Sequence, residues 1–112
     1  MTNGLDDWTL DELLEESRAM LRGQNMQAGL TVTVEADADA CAVLFVGRRA
    51  QPPGAAIVKL DLDAVIEDGM ELPHALWSLL AELRSPDLPA CGPDDVPPVV
   101  RHVRRTKARI LN

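Results

Sequence analysis

A cluster of carboxylates near the beginning of the chain is the feature of this sequence most suited to specific recognition chemistry. Six acidic side chains fall within eleven residues: Asp6, Asp7, Asp11, Glu12, Glu15 and Glu16. A carboxylate-rich surface speeds the encounter with a basic surface and fixes the orientation of the complex. Three explanations fit this cluster: it is simply solvated, it is neutralised by this chain's own basic end, or it meets an external basic partner.

The external partner gives the leading functional prediction. Asp11 and Glu12 suit the first turn of a helix, because carboxylates there face the positive end of the helix dipole. Glu15 and Glu16 lie beyond that turn, and each repels a carboxylate one turn earlier at a cost of roughly 0.2–0.5 kcal/mol. We predict that these four carboxylates contact a basic protein surface. Trp8 is either an aromatic anchor for that partner or an apolar staple that precedes the helix.

The end of the chain has the opposite charge. After position 98 it carries five basic residues and no acidic one: Arg101, Arg104, Arg105, Lys107 and Arg109. The net charge of the whole chain is −7, so the preceding residues hold −12. This basic segment is a candidate for phosphate binding, for docking on the acidic body, or for simple solvation. The alternative function is therefore a homodimeric, nucleic-acid-associated or assembly protein, although the segment has no aromatic residue for base stacking.

Groups suited to catalysis or metal binding are sparse. The spacing leaves open a metal site built from Cys91, His74 and His102, but no Cys-x-x-Cys or His-x-x-x-His pair supports one. No Gly-rich phosphate loop or nucleophile elbow is present. Asp61 and Asp63 are more typical of a solvated strand end than of an acid–base pair. We expect no catalytic residue, no metal, no cofactor and no enzymatic activity.

Length and composition describe one small globular domain. The 112 residues are 46% hydrophobic and 26% charged, as in ordinary water-soluble proteins. The acidic start is unlike a secretory signal, and no apolar run approaches the roughly 20 residues of a membrane span. We therefore expect a cytoplasmic protein, and its preference for Arg over Lys is common in GC-rich bacteria and phages. Two cysteines so far apart do not indicate a disulfide. We expect Cys41 to be a buried strand residue and Cys91 to be a partly exposed thiol.

Periodicity predicts a helix and three strands in the first half of the chain. The helix covers about 9–22, with a capping box at its start and Gly23 as its end. Alternation over 30–36 predicts a strand with one buried face, and the same holds for 56–62. The segment 41–46 is apolar throughout, which predicts the central strand of an antiparallel meander. Two helices would cover one face of that sheet, and its other face would meet the basic segment or a second copy. We assign that other face to Cys41, Val43 and Phe45, and the helix-covered face to Leu44 and Val46.

The second half predicts one more helix and two irregular or ambiguous segments. Leucines spaced over 72–83 predict the helix, after an ambiguous stretch over 63–69. Five prolines make regular structure improbable over 85–98. The spacing of apolar residues in 99–112 predicts a short basic helix. The predicted fold is thus α+β: an N-terminal helix, a three-stranded antiparallel meander, a second helix, a Pro-rich loop and a helical C-terminal segment. Residues 1–98 would form the domain, with 99–112 packed on it or extending from it.

Overall fold

In this computed structural model, the described residues (9–24, 26–92 and 94–105) form three helices and four strands. In chain order they are α1 (Leu10–Arg22), β1 (Leu30–Asp37), β2 (Ala42–Arg49), β3 (Gly54–Asp61), α2 (Leu62–Glu67), α3 (Glu71–Arg84) and β4 (Val99–Val103). The α+β class, the N-terminal helix and the second long helix are confirmed. The short helix α2 occupies most of the stretch that the sequence leaves ambiguous.

The four strands form one mixed sheet in the order β1-β2-β3-β4. The first three pair antiparallel, which confirms the meander. The prediction of a helix over 99–112 is wrong for its first part, because Val99–Val103 pairs in parallel with β3. Two effects override the helical spacing: valines favour strands, and the buried backbone of β3 needs hydrogen-bond partners along its outer edge. Residues 106–112, the rest of that predicted helix, lie outside the described part of the chain.

The strand β3 is more deeply buried than its alternating sequence predicts. All of its residues are buried except Lys59 and Asp61, which are partly buried. Since β4 pairs along one edge and β2 along the other, β3 is an interior strand like β2. Leu62, predicted as its last inward residue, instead begins α2.

The helices α1 and α3 cover one face of the sheet. The register places Phe45 beside Val34 and Val58, and cross-strand neighbours point to the same face. These three side chains lie in one buried cluster with Leu13 of α1 and Leu79 of α3. The prediction that Phe45 faces away from the helices is therefore wrong, as it is for Val43. Because β2 is apolar on both sides, its sequence pattern could not determine which side the helices would cover.

Glycine at position 47 lets α3 approach β2 closely. A Cβ atom there would lie 2.7 Å from Leu83 Cδ1 and 3.1 Å from Leu79 Cδ1, so even a methyl group would push these side chains away. The missing side chain thus leaves room for Leu79 and Leu83 against the sheet. Because the same face carries fully buried Phe45, the helices pack into a tight core.

Two adjacent arginines fix the segments that follow α3. Arg49 points to the helix side and donates from Nη1 to the carbonyl oxygens of Leu83 and Ser85, at 2.8 and 2.9 Å. Its guanidinium therefore caps the C-terminus of α3, where a positive charge is favourable. Arg48 points to the other side and donates to the carbonyl oxygens of Gly92 and Asp95, both at 3.4 Å. The Pro-rich loop consequently passes from the helix side to the open face of the sheet.

We predict that Arg49→Met lowers the free energy of unfolding by about 2 kcal/mol, because it leaves carbonyl groups at the end of α3 without their charged donor. Urea denaturation followed by circular dichroism measures this change. Arg105→Met, at an exposed position, is the control and should change stability by less than about 0.5 kcal/mol. Equal stability of the two variants would show that the cap contributes nothing.

The two cysteines have the reverse of their predicted environments. Cys41 is exposed in the turn before β2, while Cys91 is buried within the Pro-rich loop. The Cys91 Sγ atom lies 3.7 Å from the carbonyl oxygen of Gly92, which it approaches as a weak donor. Cys91 is buried because Arg48 holds the loop through the carbonyl oxygens of Gly92 and Asp95. The sequence around Cys91 does not reveal this distant contact.

The thiols should therefore differ in reactivity toward Ellman's reagent. We expect the Cys91→Ser variant, which retains the exposed thiol, to react quickly. The Cys41→Ser variant should react much more slowly, because its buried thiol becomes accessible only when the loop opens. Similar rates in the two variants would contradict the burial of Cys91.

Candidate functional site

The helix α1 is fixed at its start by a complete capping box. The backbone N–H of Thr9 donates to Glu12 Oε1 at 2.9 Å, and the backbone N–H of Glu12 donates to Thr9 Oγ1 at 3.2 Å. On its inner side, Leu13 and Ser17 are fully buried. The Ser17 hydroxyl donates to the Leu13 carbonyl oxygen at 2.8 Å, so its burial leaves no unsatisfied group. The cap and the core together make α1 a rigid platform.

The four predicted contact carboxylates lie together on the solvent-facing side of this platform. Asp11, Glu12, Glu15 and Glu16 are all exposed, and with Ala19 and Arg22 they line one shallow surface depression. Among the described residues, the one ion pair on this helix joins Glu15 to Arg18 at 3.3 Å, with both side chains largely exposed. The depression is lined by four carboxylates and one cation, Arg22, so it remains acidic. Trp8, Asp6 and Asp7 lie outside the described residues.

The basic end of the chain is placed far from the acidic face. Arg101, Arg104 and Arg105 are exposed in or just after β4, while α1 packs on β1 and β2 at the other side of the sheet. Three interstrand spacings, about 14 Å, separate β1 from β4. Within the described part of the chain, no ion pair joins these arginines to α1. Lys107 and Arg109 fall outside the described residues.

Other groups with chemical potential are dispersed. The described residues include no group of three or more His, Cys, Asp or Glu side chains that could hold a metal ion. Cys91 is buried within the Pro-rich loop, His74 lies on the outer side of α3, and His102 lies on β4. His102 Nε2 lies 2.8 Å from Asp61 Oδ1, so a hydrogen bond ties β4 to the end of β3. Asp63 is exposed in the first turn of α2, whereas Asp61 is engaged with this histidine.

Sequence reasoning missed an aromatic surface on α3. Trp77 and Met70 are each 52% exposed, and the rings of His74 and Trp77 are 5.4 Å apart at an angle of 54°. The leucine spacing drew attention to the buried side of this helix. The signal available in the sequence was Trp77 itself, because its position lies outside the helical spacing of the leucines and therefore away from the core.

No protein-family model, curated protein or solved structure matches this chain. In the part of the chain that the structure describes, none of the helices combines the length and apolar character needed to cross a membrane. Function is thus inferred from the geometry and charge of the chain itself.

We predict that repulsion within the acidic face lowers the stability of the fold, and that the same charge reversal at two positions one turn apart will have opposite effects on stability. Glu16→Lys should raise the free energy of unfolding by about 0.5 kcal/mol at low ionic strength, because it turns a repulsive pair with Glu12 into an attractive one. Glu12→Lys should lower it by about 1 kcal/mol, because it breaks the capping box and opposes the helix dipole.

Urea denaturation in dilute buffer measures both variants. Raising the salt concentration should shrink the gain from Glu16→Lys, because exposed charges are screened. A Glu16→Lys variant less stable than the wild type would show that this carboxylate supports the helix and is not a strained surface group.

Proposed function

We propose that this chain is a small, acidic, non-catalytic protein-binding module that docks α1 on a basic surface of another cytoplasmic protein. Inhibitors, immunity proteins, anti-defence proteins and accessory subunits act in this way. One observation carries the proposal: four carboxylates are exposed together on a capped helix packed against the sheet, and among the described residues only Glu15 of these four has an ion pair. Asp11, Glu12, Glu15 and Glu16 are the proposed contact residues.

The rigidity of α1 supports this function. Its cap and its buried side hold the carboxylates in one fixed pattern before the partner arrives, so little conformational entropy is lost on binding. Uncompensated charge acts over roughly 8 Å at physiological ionic strength and steers a basic partner toward the helix. If the partner's basic surface normally holds nucleic acid, the carboxylates compete there with phosphates.

The basic edge supports the alternative function, a homodimer that associates with nucleic acid or builds an assembly. Arg101, Arg104 and Arg105 are exposed at the strand that ends the sheet. A second copy alongside would bring two such sets together. The body of the chain opposes this function because its net charge of −12 repels a polyanion. Retention on DNA that falls steeply with salt would favour the alternative.

Charge reversal on α1 tests the leading proposal. We expect the double variant Glu15→Lys/Glu16→Lys to lose about tenfold or more in affinity for the partner, because it places cations against a basic surface. The partner is first captured on the immobilised full chain from cells of the source organism and identified by mass spectrometry. The dissociation constant of the purified pair is then measured by calorimetry.

A matched control makes this test specific. Glu35→Lys/Asp39→Lys imposes the same charge change at two exposed positions away from α1, and it should bind within about twofold of the wild type. Circular dichroism and urea denaturation confirm that both variants are folded. Wild-type affinity in the α1 variant would refute the proposed function.

A further inference from the structure

The outer side of α3 carries an unpartnered stripe of largely apolar side chains. Met70, His74, Trp77 and Ala81 recur at helical spacing, and all four are exposed. Half of the Trp77 surface is open to solvent. Tryptophan is enriched among residues that dominate binding energy, and large exposed apolar groups commonly mark interaction surfaces. This stripe therefore resembles the anchor of a docking surface.

The stripe and the acidic face lie on the same side of the molecule. The core cluster joins Leu13 of α1 and Leu79 of α3 to the same face of the sheet. Two helices that pack on one sheet face turn their polar or exposed sides in the same outward direction. The carboxylates of α1 and the indole of Trp77 are therefore presented together.

The sheet also makes the two helices neighbours, because both pack on β2. Arg49, at the end of β2, caps the C-terminus of α3. Leu30 pairs with Arg49 and follows α1 after only the seven residues 23–29. The C-terminus of α3 therefore lies near Arg49. Since α1 packs on β1 and β2 and α3 packs on β2 and β3, the two helices are neighbours in one layer. The carboxylates lie in the first half of α1, and Met70, His74 and Trp77 lie at or within the first half of α3.

We propose that these two groups form one composite docking surface for a basic protein that carries an apolar pocket. This acidic–aromatic surface comprises Asp11, Glu12, Glu15 and Glu16 of α1 with Met70, His74 and Trp77 at α3. The indole of Trp77 inserts into the pocket, and the carboxylates pair with lysines and arginines at its border. This inference rests on the proposed function and identifies Trp77 as the residue that contributes most to the binding energy.

Charge selects this occupant over a second copy of the chain. In a two-fold symmetric dimer through this surface, the same patch would meet itself. The carboxylates of α1 would then face their own counterparts, which is repulsive. A basic partner instead attracts these carboxylates, and its apolar pocket buries the exposed indole of Trp77.

His74 orients the anchor. Its ring packs against Trp77 in a tilted arrangement with the centroids 5.4 Å apart. Such a contact restricts the indole before binding, which reduces the entropy lost when the side chain is immobilised. His74 is accordingly a positioning residue and Trp77 the anchor.

A peptide of defined sequence tests this surface before the natural partner is identified. The probe is a 14-residue amphipathic helix with leucines on one side and lysines on the other; a 14-residue lysine peptide is its control. The full chain is labelled with 5-fluorotryptophan, and the Trp77 resonance is assigned by its loss in Trp77→Phe. We expect the amphipathic peptide to shift that resonance and to remove its H2O/D2O isotope shift, whereas the lysine peptide leaves the isotope shift in place.

Substitutions show which side chains contribute to the affinity for the amphipathic peptide. Trp77→Ala and Glu15→Lys/Glu16→Lys should each weaken binding of the amphipathic peptide about tenfold or more. Val96→Ala truncates an apolar side chain that is 88% exposed elsewhere, and it should bind like the wild type. His74→Ala should weaken binding less than Trp77→Ala and increase the fast motion of the indole.

The opposing outcomes are distinct. Wild-type affinity in Trp77→Ala, with loss in the charge-reversal variant, overturns this inference and leaves the proposed function standing. Wild-type affinity for the captured partner in the charge-reversal variant refutes the proposed function itself. An isotope shift that is already absent in the free chain, or that disappears as the chain alone is concentrated, shows that this chain or a second copy covers Trp77 and also overturns the inference.

Discussion

Burial of one sheet face beneath two helices is the constraint on which the rest of this molecule depends. Phe45 is fully buried at the centre of that face, and Gly47 beside it admits α3 closely. The apolar sides of α1 and α3 can be buried only against this face. Their remaining sides must then point outward, so core packing exposes both the carboxylates of α1 and Trp77 of α3 on the helix-covered side of the sheet.

The first half of the fold was predictable because its signals are local. The capping box at Thr9, the glycine after α1 and the alternation in β1 each specify structure within a few residues. The strand β4 was not predictable, because a five-residue segment with three valines takes the structure that the neighbouring edge offers. The environments of Cys41 and Cys91 were also set by distant contacts, chiefly the hold of Arg48 on the Pro-rich loop.

The candidate site divides in the same way. Exposure of the carboxylates followed from their position opposite the leucines of α1, which the sequence shows directly. Their separation from the basic segment did not, because it arises from the parallel placement of β4 at the far edge of the sheet. Trp77 was overlooked because periodicity identifies buried residues well but does not reveal the function of an exposed aromatic residue.

Long-range charge on α1 is the central claim, and its most direct test is the association rate of this chain with its captured partner as sodium chloride is raised. Stopped-flow fluorescence measures that rate apart from dissociation. Steering by the carboxylates predicts a fall of about tenfold or more between low and high salt, with a nearly constant dissociation rate. An association rate that does not change with salt would contradict the account.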